Sequence, residues 1–288
     1  MSARTPGRSA SVFAALALVA SSGAAFAEPV AVANAGFEAL YLGSNLPPEY
    51  GGDVPTGTFP VGPAPAGWTS YYALGAPAGG EFIGVLNPGT AADYAPNPAY
   101  FPAGAPEGDN VVLLYMDGDA GGQEYGVEQT LGANLEADRV YTLSAWVGNI
   151  ASGTALLPPY STFGFFDLDG FPGYRLQLLA GGVVVAEDTT SVSPAEGIFE
   201  PAMVQLTTDA SHAQLGQPLG IRLVTRNLPE VPGVSGIEVD FDDVRLDVAP
   251  LPAVPVLPAA VWAALAVALA VLGSSVALRG SPAERDAR

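Results

Sequence analysis

The sequence predicts an all-β protein built as a single β-sandwich. Turn residues are abundant, with 35 Gly and 27 Pro among 288 residues, and short β-branched or aromatic runs recur between them. Several of these runs alternate apolar and polar residues, as Tyr141–Val147 does. Such alternation is typical of antiparallel strands that bury one face. No convincing helical face precedes residue 259, so we expect few helices in the folded domain.

Ten segments have the composition and length of strands. They are Val30–Ala33, Gly67–Tyr72, Asn110–Tyr115, Glu124–Leu131, Arg139–Gly148, Gly173–Leu179, Val183–Glu187, Met203–Thr207, Leu219–Thr225 and Ile237–Val248. Two long segments rich in Gly, Pro and aromatic residues interrupt this pattern, Gly43–Ala66 and Ile150–Pro172. Loops of that length in a compact domain are usually functional or disordered.

Charge and cysteine content exclude several functions. The formal net charge is −19, so the surface repels phosphate backbones and nucleic acid is not an expected partner. The same acidity attracts divalent cations, or simply keeps a secreted protein soluble. The absence of cysteine excludes thiol catalysis, zinc–thiolate sites and iron–sulfur clusters.

Both ends of the chain are typical of targeting segments. Arg4 and Arg8 precede an apolar run that ends in Ala25-Phe26-Ala27, the pattern of a secretory signal and its cleavage site. Near the other end, a Pro-rich stretch leads into an apolar segment long enough to span a bilayer, followed by arginines. The predicted division is a signal peptide (1–27), a β-sandwich domain (28–249), a Pro-rich linker (250–258), a transmembrane helix (259–279) and a cytoplasmic tail (280–288).

The C-terminal layout resembles the PEP-CTERM type of sorting signal, which exosortases process. Its motif is Val254-Pro255-Val256-Leu257-Pro258, close to the VP-x-x-P and VPLPA variants although the Pro-Glu-Pro core is missing. The resemblance implies an exosortase-type processing enzyme as partner and secretion through the inner membrane. The protein would then lie in the cell envelope or at the extracellular surface, anchored by its span or processed there. An ordinary permanent anchor is the alternative.

Motifs in the domain resemble those of galactose-binding-like jelly rolls, a superfamily that includes many carbohydrate-binding modules. They run from the opening N-x-G-F-E motif to the closing D-D-V motif: Asn34–Glu38, Pro65–Trp68, Ala105–Val111, Gln129–Leu131, Tyr141–Leu143, Gly148–Asn149 and Asp242–Val244. The resemblance implies a jelly-roll sandwich and a non-catalytic protein that binds exopolysaccharide or associates with the matrix. Aromatic residues in the predicted loops are the candidate ligand contacts, notably Tyr94, Tyr100 and Tyr160. A purely structural or adhesive envelope protein is the alternative.

The closing strand, EVDFDDVRLD (238–247), carries five carboxylates, although strands disfavour Asp and like charges repel. In the resembled jelly rolls a structural calcium commonly lies beside the first and last strands, which implies a ligand role for Glu38, Asp242 and Asp243. The alternative is a solvated acidic face opposite Phe241 and Val244. Because those two apolar residues differ in parity, burying both requires a bulge near Asp242 and Asp243.

Few features of the sequence favour an enzyme. His212 is the only histidine, and its neighbours are typical of a surface turn. No G-x-S-x-G motif and no Gly-rich loop leading into a helix is present. The third alternative is a glycosidase with a pair of catalytic carboxylates. The distance between the two carboxylates would test this alternative, and the sequence does not give that distance. The sequence therefore predicts a protein that is not an enzyme.

Overall fold

Antiparallel β-strands make up nearly all regular structure in the described part of the protein. The computed structural model describes residues 27–39, 52–117, 122–228 and 236–251, which lie in the compact unit Ala25–Leu251. The strands in these ranges are β1 (Glu28–Val30), β2 (Val61–Gly62), β3 (Thr69–Tyr72), β4 (Glu81–Leu86), β5 (Val111–Asp117), β6 (Tyr125–Asn134), β7 (Arg139–Asn149), β8 (Gly153–Thr154), β9 (Phe165–Phe166), β10 (Tyr174–Ala180), β11 (Val183–Asp188), β12 (Ile198–Thr207), β13 (Pro218–Thr225) and β14 (Gly236–Pro250). The helices described are a single turn, α1 (Ala91–Tyr94), and a 3₁₀ helix (Tyr160–Phe163).

Two sheets form a β-sandwich. The seven-stranded sheet has the order β12-β7-β14-β5-β4-β2, with β1 paired to the C-terminal half of β14. The five-stranded sheet has the order β11-β10-β13-β6-β3, and neither sheet closes into a barrel. The main core lies between the sheets and takes Val112 and Leu114 of β5, Ile221 and Leu223 of β13, and Val239 of β14. The all-β sandwich predicted from the sequence is therefore confirmed.

A second, smaller apolar cluster covers the other side of the seven-stranded sheet. Successive strand residues point to opposite faces, so Val111, Leu113 and Tyr115 of β5 point away from the main core. Their partners come from the chain around α1 and from the segment between β7 and β10, and include Tyr94, Tyr100, Phe101, Ile150, Phe166 and Leu168. We call this side of the sheet the outer face. It is the face on which the candidate site is built.

The closing strand β14 contains the irregularity that its sequence predicts. The pairing register with β7 shifts between Asp242 and Arg245, and Asp243 has a φ of 48°. The bulge lets Phe241 and Val244 both enter the main core, where they are 0% and 1% exposed. The alternative of a solvated acidic face is wrong, because Glu238, Asp240 and Asp242 are all buried.

None of the helices in the described ranges is long and apolar enough to cross a membrane. The predicted signal peptide, the predicted span (259–279) and the sorting residues Val254, Pro255 and Pro258 lie outside the described residues. The proposed division of the chain at those boundaries stays a prediction.

Candidate functional site

A cavity of about 340 Å³ lies on the outer face of the seven-stranded sheet. Its walls are almost entirely apolar, with four residues that carry a polar group. The lining consists of Phe59, Val61, Phe82, Leu86, Tyr100, Leu113, Tyr115, Asp117, Ile150, Phe163, Phe166, Leu168 and Glu238. Apolar cavities with a few convergent polar groups are the usual form of a small-molecule site.

The two long segments that interrupt the strand pattern supply one wall of the cavity. Phe59 comes from the first segment, and Phe163 and Phe166 come from the second. The ring of Phe166 contacts that of Phe59 edge-on at 5.3 Å between centroids, and it lies 6.4 Å from the rings of Tyr115 and Phe163. Edge-on ring contacts of this kind stabilise an aromatic wall. Phe163 remains 64% exposed, so it marks the open side of the cavity.

Glu238 is the buried carboxyl group of the cavity. It lies on β14 directly opposite Tyr115 of β5 and is 5% exposed. Its Oε1 atom has no hydrogen-bond partner among the described residues. Burial removes the charged form from water and raises the pKa of the Glu238 carboxyl to about 7. At neutral pH a carboxyl group with a pKa near 7 is protonated in about half of the molecules, and it can then give its proton to a bound molecule.

Asp240 lies behind Glu238, two residues further along the same face of β14. It is fully buried and does not line the cavity. Burial and the neighbouring Glu238 raise its pKa well above the ordinary value. The two side chains hydrogen-bond to each other when a proton lies between them, and no other donor among the described residues reaches the Asp240 oxygens. The pair therefore titrates as a unit, because two like charges cannot both be ionised there.

Tyr100 is the second deeply buried polar residue of the lining. It is 1% exposed, and its hydroxyl has no hydrogen-bond partner among the described residues. Tyr94 packs edge-on against it at 5.6 Å and is equally buried, although it does not line the cavity. Burial raises the pKa of both phenols, so both stay protonated as hydrogen-bond donors.

The remaining polar groups lie towards the open side. The Tyr115 hydroxyl donates a hydrogen bond of 3.4 Å to Oδ1 of Asp117, whose side chain is exposed. The Tyr115 ring rests against Gly236 of β14, since a Cβ atom there would lie 2.3 Å from Cε2 of the ring. A glycine is thus required where this ring crosses the strand.

The three aromatic residues predicted as ligand contacts are all buried. Tyr94 and Tyr100 are each 1% exposed and Tyr160 is 6% exposed. Tyr160 packs against Phe59 at 4.9 Å between centroids. A sugar stacks on a ring face that is open to solvent, and none of these residues presents one. The structure places only Tyr100 in the cavity wall, and ligand contact by any of the three stays a prediction.

Glu38, a predicted calcium ligand, has hydrogen-bond donors around it. Its Oε1 atom accepts the backbone N–H groups of Asp109 and Asn110 at 2.8 and 2.9 Å, and Oε2 accepts the Asn110 side-chain amide at 3.0 Å. These bonds tie the opening turn to the loop before β5. The carboxylate thus serves as an acceptor for a turn of the backbone.

Asp242 and Asp243 are also engaged by donors. The Glu107 and Asp243 N–H groups donate to Asp242 at 2.8 and 2.6 Å, while Asp243 pairs with Arg245 at 2.7 Å. Burial raises the pKa of Asp242 to about 8. No cluster of three or more His, Cys, Asp or Glu that could hold a metal occurs within the described ranges. Calcium binding at Glu38, Asp242 and Asp243 therefore stays a prediction.

Comparison with known proteins assigns the chain to a family of enzymes. A family model for HpiC1-like proteins, described as HpiC1 cyclase, matches residues 28–247. A crystal structure of a cyclase from Fischerella sp. TAU is 33% identical, with a TM-score of 0.57, and the match covers 78% of this chain and 99% of that one. No curated protein matches the chain. The chain belongs to the HpiC1-like cyclase family.

Two further structures from this group hold indole compounds. The Stig cyclase Fisc from Fischerella sp. TAU, in complex with (3Z)-3-(1-methyl-2-pyrrolidinylidene)-3H-indole, is 32% identical, with a TM-score of 0.58, over 78% of this chain and 100% of that one. A cyclase from the same organism, in complex with 4-(1H-indol-3-yl)butan-2-one, is also 32% identical, with a TM-score of 0.57, over 78% and 98% of the two chains.

The family assignment corrects the function expected from the sequence. The expectation of a non-catalytic carbohydrate-binding or adhesive protein is wrong, because the family is one of cyclases, which are enzymes. Motifs such as Asn34–Glu38 and Asp242–Val244 form turns and strands at the joined ends of the sandwich. They therefore reflect local backbone geometry and carry no information about the ligand.

The expected partners and localisation are corrected with it. An exosortase, an extracellular polysaccharide and a membrane-anchored place in the cell envelope followed from the PEP-CTERM and carbohydrate-module resemblances. The match to cyclases over residues 28–247 overturns the partners and the localisation that those resemblances implied. The relatives bind small molecules instead.

Proposed function

We propose that the protein is a cyclase that closes a ring in an apolar small molecule, with Glu238 as the proton donor. One observation carries the proposal: the Glu238 carboxyl group, 5% exposed and with an unpartnered oxygen, faces a cavity whose other polar residues are Tyr100 and, at its open side, Tyr115 and Asp117. A general acid works best when its pKa lies near the working pH. The raised pKa of Glu238 meets this condition.

The proposed reaction rearranges bonds without gain or loss of atoms. The Glu238 carboxyl gives its proton to a carbon–carbon double bond, whose electron pair forms the new C–H bond and leaves a cationic carbon. An electron pair from another unsaturated or nucleophilic group of the same molecule then forms the ring bond to that carbon. The resulting cation loses a proton to the Glu238 carboxylate, which restores the enzyme.

The aromatic wall suits such a reaction. Positive charge is stabilised over aromatic faces, and the more so where water is excluded. The rings of Phe59, Phe163, Phe166 and Tyr115 supply this surface. The walls also keep water from the cationic intermediate, which would otherwise be hydrated.

We infer that the substrate carries an indole ring with an unsaturated side chain. The indole compounds bound to two related cyclases support this choice, as does the aromatic lining of the cavity. A polyhydroxylated sugar would leave most of its hydroxyl groups without partners in these walls.

The test is a search for a cyclised product of unchanged mass. Purified protein is incubated with indoles that bear an alkene side chain, and the products are separated by chromatography and weighed. Glu238→Gln keeps the shape of the side chain but has no acidic proton, so we expect kcat/KM to fall by about 100-fold or more. Glu136→Gln is the matched control, because Glu136 is an exposed glutamate paired with Arg139 away from the cavity. Full activity in Glu238→Gln, or no cyclised product from the unaltered protein, contradicts the proposal.

Two finer predictions from the sequence remain proposals. One is that the sandwich is a jelly roll of the galactose-binding-like type. The other is calcium, which thermal unfolding with calcium and with a chelator tests directly. An ion bound only to the folded protein stabilises it by about 2.7 kcal/mol at roughly a hundredfold excess over its dissociation constant. An unchanged midpoint would mean that N–H and guanidinium donors alone satisfy Glu38, Asp242 and Asp243.

A further inference from the structure

We propose that the Tyr100 hydroxyl is a second polar contact in the cavity, where it donates a hydrogen bond to a carbonyl oxygen or imine nitrogen of the substrate. This inference rests on the proposed function and specifies which molecules the site selects. It makes Tyr100 a specificity residue, while Glu238 supplies the proton.

The Tyr100 hydroxyl is a buried donor without a partner. Tyr100 is 1% exposed, and no acceptor among the described residues reaches its hydroxyl oxygen. Buried hydroxyl groups in folded proteins almost always find a partner, because an unpaired one forfeits its bonds to water. The residue lines the cavity, so a molecule bound there can supply the missing acceptor.

The surrounding residues hold the Tyr100 ring in place. A Cβ atom on Gly153 would lie 2.8 Å from Cε1 of the ring, so that glycine packs directly against it. Tyr94 contacts another part of the ring edge-on, and the Tyr100 carbonyl accepts the Ala151 N–H at 3.2 Å. A ring held in this way cannot turn its hydroxyl out to solvent. The donor is therefore fixed before any ligand arrives.

The composition of the cavity restricts the chemical class of the ligand. The inner part offers two polar side chains, Tyr100 and Glu238, among apolar and aromatic walls. A ligand that fits carries one acceptor atom at its buried end and hydrocarbon or aromatic surface elsewhere. Phosphates and polyols are excluded, because they would bury charges or hydroxyl groups without partners.

The test compares two ligands that differ by one oxygen atom. The probes are 4-(1H-indol-3-yl)butan-2-one and 3-butylindole, which lacks the ketone oxygen, and binding to the whole protein is measured by calorimetry. We expect the ketone to bind about tenfold more tightly, the equivalent of one good hydrogen bond. Tyr100→Phe should remove this preference and leave the affinity for 3-butylindole unchanged. Tyr94→Phe is the matched control, because it removes an equally buried, unpartnered hydroxyl that does not line the cavity.

Three results would overturn the inference. Tyr100→Phe could keep the preference for the ketone, which would assign the acceptor contact to another group. It could weaken both probes equally, which would make Tyr100 a packing residue. The unaltered protein could bind both probes equally, which would show that the Tyr100 hydroxyl does not contact the ketone oxygen. The cyclase proposal fails separately, through the turnover of Glu238→Gln.

Discussion

Glu238 and Val239 are neighbours on one strand, yet they face opposite sides of the seven-stranded sheet. Val239 is fully buried in the core between the two sheets. Glu238 faces the cavity on the outer face, opposite Tyr115. The main core and the proposed catalytic site therefore lie on opposite faces of the same sheet. The carboxyl group that we propose as the acid therefore lies on a strand with neighbours on both sides.

Burial of Glu238 gives stability a definite pH dependence. The carboxyl ionises in the unfolded chain at its ordinary value of 4.5 and in the folded protein at about 7. A raised acid pKa means that the folded state holds its proton longer, so stability falls as pH rises between these values and then levels. We expect Glu238→Gln to gain about 3 kcal/mol relative to the unaltered protein between pH 4 and pH 8.

Chemical denaturation at both pH values checks this prediction. The difference between the two proteins reports on the coupled pair of Glu238 and Asp240, because Asp242, whose pKa is also raised, is present in both. A difference that does not change with pH would show that Glu238 is ionised in the folded protein.

The Tyr115 ring packs directly against Gly236, so Gly236→Ala should displace this ring from its place in the cavity wall. The added Cβ would meet Cε2 of Tyr115 at 2.3 Å and the Met116 carbonyl at 2.7 Å. Such overpacking costs about 1–3 kcal/mol, and displacement of Tyr115 should weaken ligand binding as well. Gly132→Ala is the control: Gly132 is also a strand glycine, but nothing lies within 4 Å of its added Cβ. Denaturation and calorimetry measure both effects, and equal behaviour of the two variants would refute the prediction.

Phe163 and Phe165 offer a matched pair at the open side of the cavity. They are 64% and 63% exposed, but only Phe163 lines the cavity. We expect Phe163→Ala to raise the KM for an indole substrate about fivefold, since it removes roughly 1 kcal/mol of apolar contact, with little loss of stability. Phe165→Ala should leave KM unchanged. An equal change of KM in both variants would contradict the prediction, because it would show that the effect does not depend on lining the cavity.

Much of the fold could be predicted because its signals are local. Nine of the ten predicted strands are present, seven of them within two residues of their predicted bounds, and the tenth, Val30–Ala33, meets β1 only at Val30. The strand β12 begins earlier than predicted because Pro201 lies within it, and an edge strand tolerates proline. The strand β4 was not predicted, since Gly84 interrupts its apolar run. That glycine is needed because a Cβ atom there would lie 2.6 Å from the carbonyl oxygen of Pro60, which directly precedes the neighbouring strand β2.

The site could not be predicted because its signals are not local. Glu238 and Asp240 have the alternation of a solvated strand face, and only the second apolar cluster makes that face an interior. The residues that cover this face come from segments distant in sequence, and those segments show no strand or helix pattern. One signal was available: Phe59, Phe163 and Phe166 give the two long segments more aromatic residues than solvated loops need.

The pH dependence of kcat/KM for ring closure tests the central claim most directly. If the neutral Glu238 carboxyl donates the proton, kcat/KM is constant at acidic pH and falls about tenfold per pH unit above the raised pKa of about 7. Glu238→Gln should lack this fall and retain only a low, level rate. A rate that rises with pH through the same range, or an unchanged profile in Glu238→Gln, would contradict the assignment of Glu238 as the acid.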